Sequence, residues 1–254
     1  MTNQKDILAV DVGNTSAHFA FLSGGKWKKE FRVKTSEIQS RAARAIQKNI
    51  SLKSRPAIVI ASVVPKAGIL LKKIVSTKLK LPAFLVGKDI AVPIINRYKN
   101  PKQVGVDRLL NAYAGYSLYK RELIIIDFGT AITFDLVSKK GEYLGGIIAP
   151  GIEISLEALF QKTALLPKIR LAHPGSLIGR NTVESIRVGC SVGIGGLCDR
   201  IVEELRRKEL RKPLVIATGG YAHFMRRYCK TVAKIDDQLV LKGIALAYRD
   251  FLKK

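Results

Sequence analysis

The sequence predicts an α/β protein made of two related halves, each with a mixed sheet. Three observations carry this prediction. Short runs rich in strand formers alternate with amphipathic helical stretches. The opening run recurs after the middle of the chain. Of 254 residues, 47% are apolar, enough for a sizeable core. The recurrence is specific: residues 7–10 lead into Asp11-Val-Gly-Asn-Thr15, and residues 123–126 lead into Asp127-Phe-Gly-Thr-Ala131. Asp11 and Asp127 lie 116 residues apart, as do Gly13 and Gly129. Two copies at a domain-sized spacing indicate duplication, not a solenoid.

Taken in order, residues 7–10 and 17–22 read as strands, Ser23-Gly-Gly25 as a turn, and residues 27–33 as a third strand, an antiparallel opening. A helix over 36–49 and a buried strand over 57–61 follow. Pro65, suited to a helix's first turn, opens a basic amphipathic helix to residue 80. A strand over 83–86 and an apolar helix over 109–118 complete the half. The second half repeats strands at 123–126, 132–137 and 141–148. It continues with a helix over 181–208, a strand over 214–217, a helix from Tyr221, a short strand near Val232 and a terminal helix from Gln238. No low-complexity linker intervenes, so the halves are expected at 1–117 and 118–254, joined by a hinge.

Composition narrows the function. Lys and Arg number 44 against 20 Asp and Glu, a net charge of +24. The basic runs, at 26–29, 41–55, 66–80, 206–212 and 226–234, are dispersed and not interleaved with stacking aromatics, which argues against nucleic acid as the main partner. Attraction of anionic metabolites accounts for such charge equally well. No run approaches the roughly 18 apolar residues of a membrane span, and the first residues lack a signal peptide's apolar run, so a cytoplasmic protein is expected. Cys190, Cys198 and Cys229 form neither a C-x-x-C pair nor an even set, and His18, His173 and His223 are scattered; buried thiols and no structural metal are expected.

The two Asp-x-Gly turns have the character of phosphate loops. Gly13 permits close approach, while Asn14, Thr15 and neighbouring N–H groups can donate to phosphate oxygens. Asp11 can hold the Mg²⁺ of Mg·ATP through water, since magnesium dehydrates reluctantly. A single such turn reads more readily as a hairpin turn; two at matching positions reverse that preference and point to loops gripping one nucleotide. In the second, Gly129 and Thr130 would touch phosphate and Asp127 would be a cation ligand, or form an Asx turn. Ala217-Thr-Gly-Gly220 reads as an adenosine-pocket lining or a plain strand-to-helix turn. Asp107 and Arg108 start the helix after Gly105, either at a cavity mouth or as ordinary N-terminal helix charges.

Asp11-Val-Gly-Asn-Thr15, Gly105-Val-Asp-Arg108, Asp127-Phe-Gly-Thr-Ala131 and Gly145-Gly-Ile-Ile-Ala-Pro-Gly151 occur in the order and context of the type III pantothenate kinases, which the chain resembles over nearly its whole length. The resemblance implies a duplicated actin-like (ribonuclease H-like) α/β fold with an interdomain cleft, and ATP-dependent phosphorylation of pantothenate, the first step towards coenzyme A. It implies Asp107 as catalytic base. It places ATP on Asp11, Val12, Gly13, Asn14, Thr15, Ser16, Ala17, His18 and Thr130, and pantothenate on Tyr98, Gly105, Val106, Asp107, Arg108 and Thr182. Asp127 would bind an activating potassium or ammonium ion, and the protein would be a homodimer. Arg108 suits the carboxylate of pantothenate through a fork of charged hydrogen bonds, whereas Thr182, after Asn181, also suits helix capping. Val106 departs from the family's usual Ala or Pro and would add bulk beside the substrate. Gly189, Gly193, Gly195 and Gly196 suggest close helix packing.

Overall fold

The computed structural model describes residues 6–51 and 54–253. It divides into two compact units, Met1–Leu118 with Gln238–Lys254, and Tyr119–Asp237.

In the first unit, β1 (Ile7–Val12), β2 (Ser16–Ser23) and β3 (Lys26–Lys34) form an antiparallel meander. A 3-10 turn over Thr35–Glu37 leads into α1 (Ile38–Asn49), followed by β4 (Ala57–Ser62), α2 (Pro65–Ile74) and β5 (Ala83–Leu85). The sheet order is β3-β2-β1-β4-β5, with β4 parallel to β1 and β5 parallel to β4. Because side chains alternate along a strand, Leu8, Val10, Ile58 and Ile60 face α1 and α2, which bury Ile38, Ala42, Ile46, Leu71 and Ile74 there. Ile7, Ala9, Val59 and Ala61 face the opposite layer, built from α3 (Val106–Tyr119) and the terminal helix. The helix expected to reach residue 80 is α-helical only to Ile74; a π-helical turn, Val75–Leu79, follows and ends at Lys80 in the left-handed region (φ 54°).

The second unit repeats the plan. Strands β6 (Leu123–Phe128), β7 (Ala131–Val137) and β8 (Tyr143–Pro150) form the meander, and α4 (Ile152–Lys162) follows. Then come α5 (Thr182–Val188), a π-helical turn over Gly189–Gly193, α6 (Ile194–Lys208), β9 (Leu214–Thr218), α7 (Ala222–Met225) and β10 (Lys234–Ile235). The order β8-β7-β6-β9-β10 matches the first sheet strand for strand, with β9 parallel to β6 and β10 to β9. The expected duplicated α/β fold with two mixed sheets is therefore present.

Two elements differ from expectation. Helix α4 was not foreseen. The terminal helix, α8 (Leu239–Phe251), expected with residues 118–254, belongs to the first unit, where Leu241, Ile244 and Ala247 pack on β1 and β4. Gly243 decides the fit: a Cβ there would lie 2.5 Å from the Leu110 carbonyl oxygen of α3. Among the helix glycines of the second unit, Gly195 makes the expected close contact, against Tyr228, while Gly189, Gly193 and Gly196 have open space in front of them. Cys190, Cys198 and Cys229 are free, buried thiols. No helix among the described residues is long and apolar enough to cross a membrane.

Candidate active site

In the first unit, β1 delivers Asp11 and Val12 to the end of the sheet. Val12 pairs with Ala17 and Asp11 with His18, which leaves residues 13–16 as the turn. The Gly13 N–H donates to the Ser16 carbonyl (3.1 Å). Thr35, just before α1, pins both sides of the turn: its hydroxyl donates to the Gly13 carbonyl (2.7 Å) and its N–H to the Thr15 carbonyl (3.0 Å). A loop whose carbonyls are consumed internally presents donors outward, the polarity that phosphate requires. Asn14 and Thr15 are exposed, Asp11, Gly13 and Ser16 half-buried, and Val12 and Ala17 fully buried in the core, so these last two can meet a ligand only through backbone. His18 is held by Glu30 (2.9 Å), which also accepts from the Gln238 amide. Burial and the nearby Arg32 charge lower its pKa, outweighing Glu30.

Asp107 stands in the first turn of α3. Its Oδ1 accepts the Arg108 N–H (2.8 Å), and a Cβ on Gly105 would lie 2.4 Å from that oxygen, so Gly105 leaves the carboxylate its place. Burial raises the Asp107 pKa above its ordinary value; the Arg108 N–H and charge oppose the shift without cancelling it. Arg108 is itself 8% exposed. The start of α3 lies beside the first loop, because a Gly105 Cβ would sit 3.7 Å from Val63 Cγ1 and the Val63 N–H donates to the Val12 carbonyl (3.1 Å). Val106 is half-buried and packs against the core with its Cγ2 towards Gly87. Tyr98 is half-buried in a folded segment in which its N–H donates to Asn96 Oδ1 (3.0 Å) and the Asn96 amide to the Pro101 carbonyl (3.3 Å).

In the second unit, Asp127 pairs with Thr133 and Phe128 with Ile132, so the turn at 129–131 is one residue shorter than its counterpart. The Gly129 N–H donates to the Ala131 carbonyl (3.2 Å). Two glycines hem this loop. A Cβ on Gly151 would lie 2.0 Å from the Thr130 carbonyl oxygen, and one on Gly219 (φ +88°) 2.3 Å from Asp127 Oδ1. Residues 217–220 thus fold over the end of β6, where the Tyr221 N–H reaches the Phe128 carbonyl (3.2 Å). Sequence reasoning did not anticipate Thr35 or these two close approaches.

Thr182 opens α5, but the cap is Asn181, whose Oδ1 accepts the Glu184 N–H (2.9 Å). Thr182 instead lines a groove of about 720 Å³ between α4 and the α5–α6 rod, with Leu159, Leu166, Ile186 and Leu197 among its walls.

Each unit carries parts that phosphoryl transfer requires: the first a donor-rich loop and a half-buried carboxylate on a helix start, the second a loop of the same design. The model of the type III pantothenate kinase family matches residues 7–204, a span that includes all of them. The chain belongs to that family. A relative from Geobacter sulfurreducens, named type III pantothenate kinase, is 38% identical over 249 residues, covering 95% of this chain and 98% of the relative. Solved structures share the fold at lower identity. A ROK family glucokinase from Streptomyces griseus, in complex with glucose and AMPPNP, has a TM-score of 0.54 at 14% identity, covering 96% of this chain and 99% of that one. Component A of the (R)-2-hydroxyglutaryl-CoA dehydratase of Acidaminococcus fermentans has a TM-score of 0.57 at 12% identity, covering 96% and 98%. Family membership makes the chain an ATP-dependent kinase.

Among the described residues, no cluster of three or more His, Cys, Asp or Glu could hold a metal ion. Membership of a kinase family implies ATP with a divalent metal, and magnesium keeps several waters and takes one or two carboxylates besides the phosphates.

Proposed function

We propose that this chain transfers the γ-phosphoryl group of ATP to the primary hydroxyl of pantothenate, the first step towards coenzyme A, with Asp107 as general base. The observation that carries the role of Asp107 is its place, a half-buried carboxylate of raised pKa at the start of α3 beside the first phosphate loop. The substrate oxygen attacks the γ-phosphorus, the bond to the β–γ bridging oxygen breaks, and the hydroxyl proton passes to Asp107. Phosphoryl transfer depends chiefly on positioning and charge stabilisation, so the base has to orient the hydroxyl and accept a proton late.

In this reading, Asp11, Gly13, Asn14, Thr15 and Ser16, with Thr130 of the second loop, bind the ATP phosphates, and magnesium, held through water at Asp11, supplies charge neutralisation. His18, occupied by Glu30, supports the strand opposite Asp11. Arg108 supplies positive charge for the pantothenate carboxylate, and Tyr98 and Thr182 are further substrate contacts. Asp127 binds a potassium or ammonium ion; Gly219, tight against Oδ1, leaves it room only for small neighbours. Purified protein with ATP, Mg²⁺, K⁺ and pantothenate should form 4′-phosphopantothenate, and absence of that product overturns the assignment. Replacing K⁺ by Na⁺ should lower the rate about tenfold, that is by about 1.4 kcal/mol of transition-state stabilisation; an unchanged rate removes the cation role of Asp127.

The groove beside Thr182 fits the homodimer. Its walls are largely apolar, and Leu165 and Ile178 nearby are 90% and 74% exposed, more apolar surface than a lone unit gains by leaving in water. Light scattering should give twice the 28.0 kDa chain mass, and Leu159→Glu should halve it; a monomeric parent discards the dimer. A cytoplasmic location is the reading that the proposed reaction and its substrates support.

A further inference from the structure

Residues 38–88 carry eleven Lys or Arg and no Asp or Glu. Along the chain these cations form separate runs; folding joins them. Helices α1 and α2 lie on the same face of the first sheet and pack against each other, each burying its apolar stripe. Their outer sides, with the π-helical turn and its cap, leave Arg44, Lys48, Lys66, Lys73, Lys78 and Lys80 exposed. The two carboxylates that border the segment are already engaged, Glu37 by Arg41 (3.1 Å) and Asp89 by Lys72 (2.6 Å). Among the described residues, no carboxylate pairs with the six exposed cations.

We propose that this two-helix face binds the phosphate backbone of double-stranded nucleic acid, without reading bases, as a property additional to the kinase reaction. A small anion requires donors that converge in a concave site, whereas these cations are strung along the outer sides of two helices, α1 alone being about 18 Å long. A polymer that repeats its negative charge every few ångströms matches that spread. Single strands are disfavoured because Phe84 is the segment's lone aromatic residue and is packed against Tyr248 and Phe251, leaving nothing on which an unpaired base can stack. A lipid surface is disfavoured because Ile69 is the one exposed large apolar side chain among the segment's described residues, too little to anchor an interfacial helix. Dispersal along the sequence argued against nucleic acid as the main partner. The folded face restores it as a second one.

Fluorescence anisotropy of the intact protein with a labelled random-sequence duplex of about 24 base pairs tests the proposal. The logarithm of Kd should rise linearly with the logarithm of salt concentration, with a slope of about 4 to 5, as expected for some five phosphate contacts. Changing Lys48, Lys73, Lys78 and Lys80 together to Gln should weaken binding at least about tenfold at 0.1 M salt and reduce the slope, with pantothenate phosphorylation unchanged. The matched change of Arg206, Arg211, Arg226 and Arg227 to Gln should leave Kd within about twofold. Absence of duplex binding at about 50 mM salt overturns the proposal, as does equal weakening in the two variants, which would mean total charge and not this face. Equal affinity for polyglutamate, or binding to phosphatidylserine vesicles but not to the duplex, overturns it in favour of an acidic protein or a membrane surface.

Discussion

Replacing Asp107 by Asn lowers the rate of pantothenate phosphorylation by about 10² to 10⁴-fold, the usual contribution of a general base, and leaves ATP affinity within about twofold. The amide keeps the shape of the carboxylate, so the packing around Gly105 and the bond from the Arg108 N–H survive. It loses the capacity to take a proton. Direct nucleotide titration separates the two effects: near-normal turnover with normal ATP binding means that the base is elsewhere. The pH profile supplies a second check. Burial raises the folded pKa of Asp107 above its ordinary value, so the base becomes protonated, and activity is lost, at a higher pH than for an exposed aspartate. The acidic limb of kcat/KM for pantothenate should therefore lie above the ordinary carboxylate range. Arg108→Gln removes a charge that opposes the shift and should move that limb further up, besides raising KM for pantothenate. An acidic limb at the ordinary value in the parent separates Asp107 from the rate.

The duplication was legible because it rests on local signals. An apolar strand followed by Asp-x-Gly is visible in the residues themselves, and its recurrence carried the repeated three-strand opening of both halves. Elements whose identity depends on distant partners were not. In α4, Ile152, Ile154 and Leu156 alternate as in a strand, and only Ile152 is buried, so no strong helical stripe marks the segment. The terminal helix has a clear helical period, yet period does not say which sheet receives it; the approach of Gly243 to Leu110 does, across more than half the chain. The site shows the same division. The loop residues and Asp107 stand in recognisable local patterns. Thr35, which pins the first loop, is an ordinary residue before a helix until its two bonds to residues about twenty positions earlier are seen.

Gly151→Ala should be the most damaging single methyl group in the second unit. The added Cβ would fall 2.0 Å from the Thr130 carbonyl oxygen, 2.6 Å from its carbonyl carbon and 2.7 Å from the Gly129 carbonyl oxygen. All three are backbone atoms, so no side-chain rotation relieves the overlap, and either the second loop or the start of α4 must move. Overpacking of this kind costs about 3 kcal/mol, a fall of roughly 6–12 °C in the melting temperature of the chain. Displacement of Thr130 should also raise KM for ATP about tenfold or more while KM for pantothenate changes little, since positioning errors near 1 Å are costly in a transfer reaction. Gly196→Ala is the contrasting case. Nothing lies within 4 Å of its Cβ position, and it sits inside α6, where alanine is the better helix former by about 1 kcal/mol. That variant should be as stable as the parent or more so, with ATP kinetics unchanged. If the two alanines behave alike in calorimetry and in ATP titration, the second loop is not held by Gly151, and Thr130 loses the support that places it on the nucleotide.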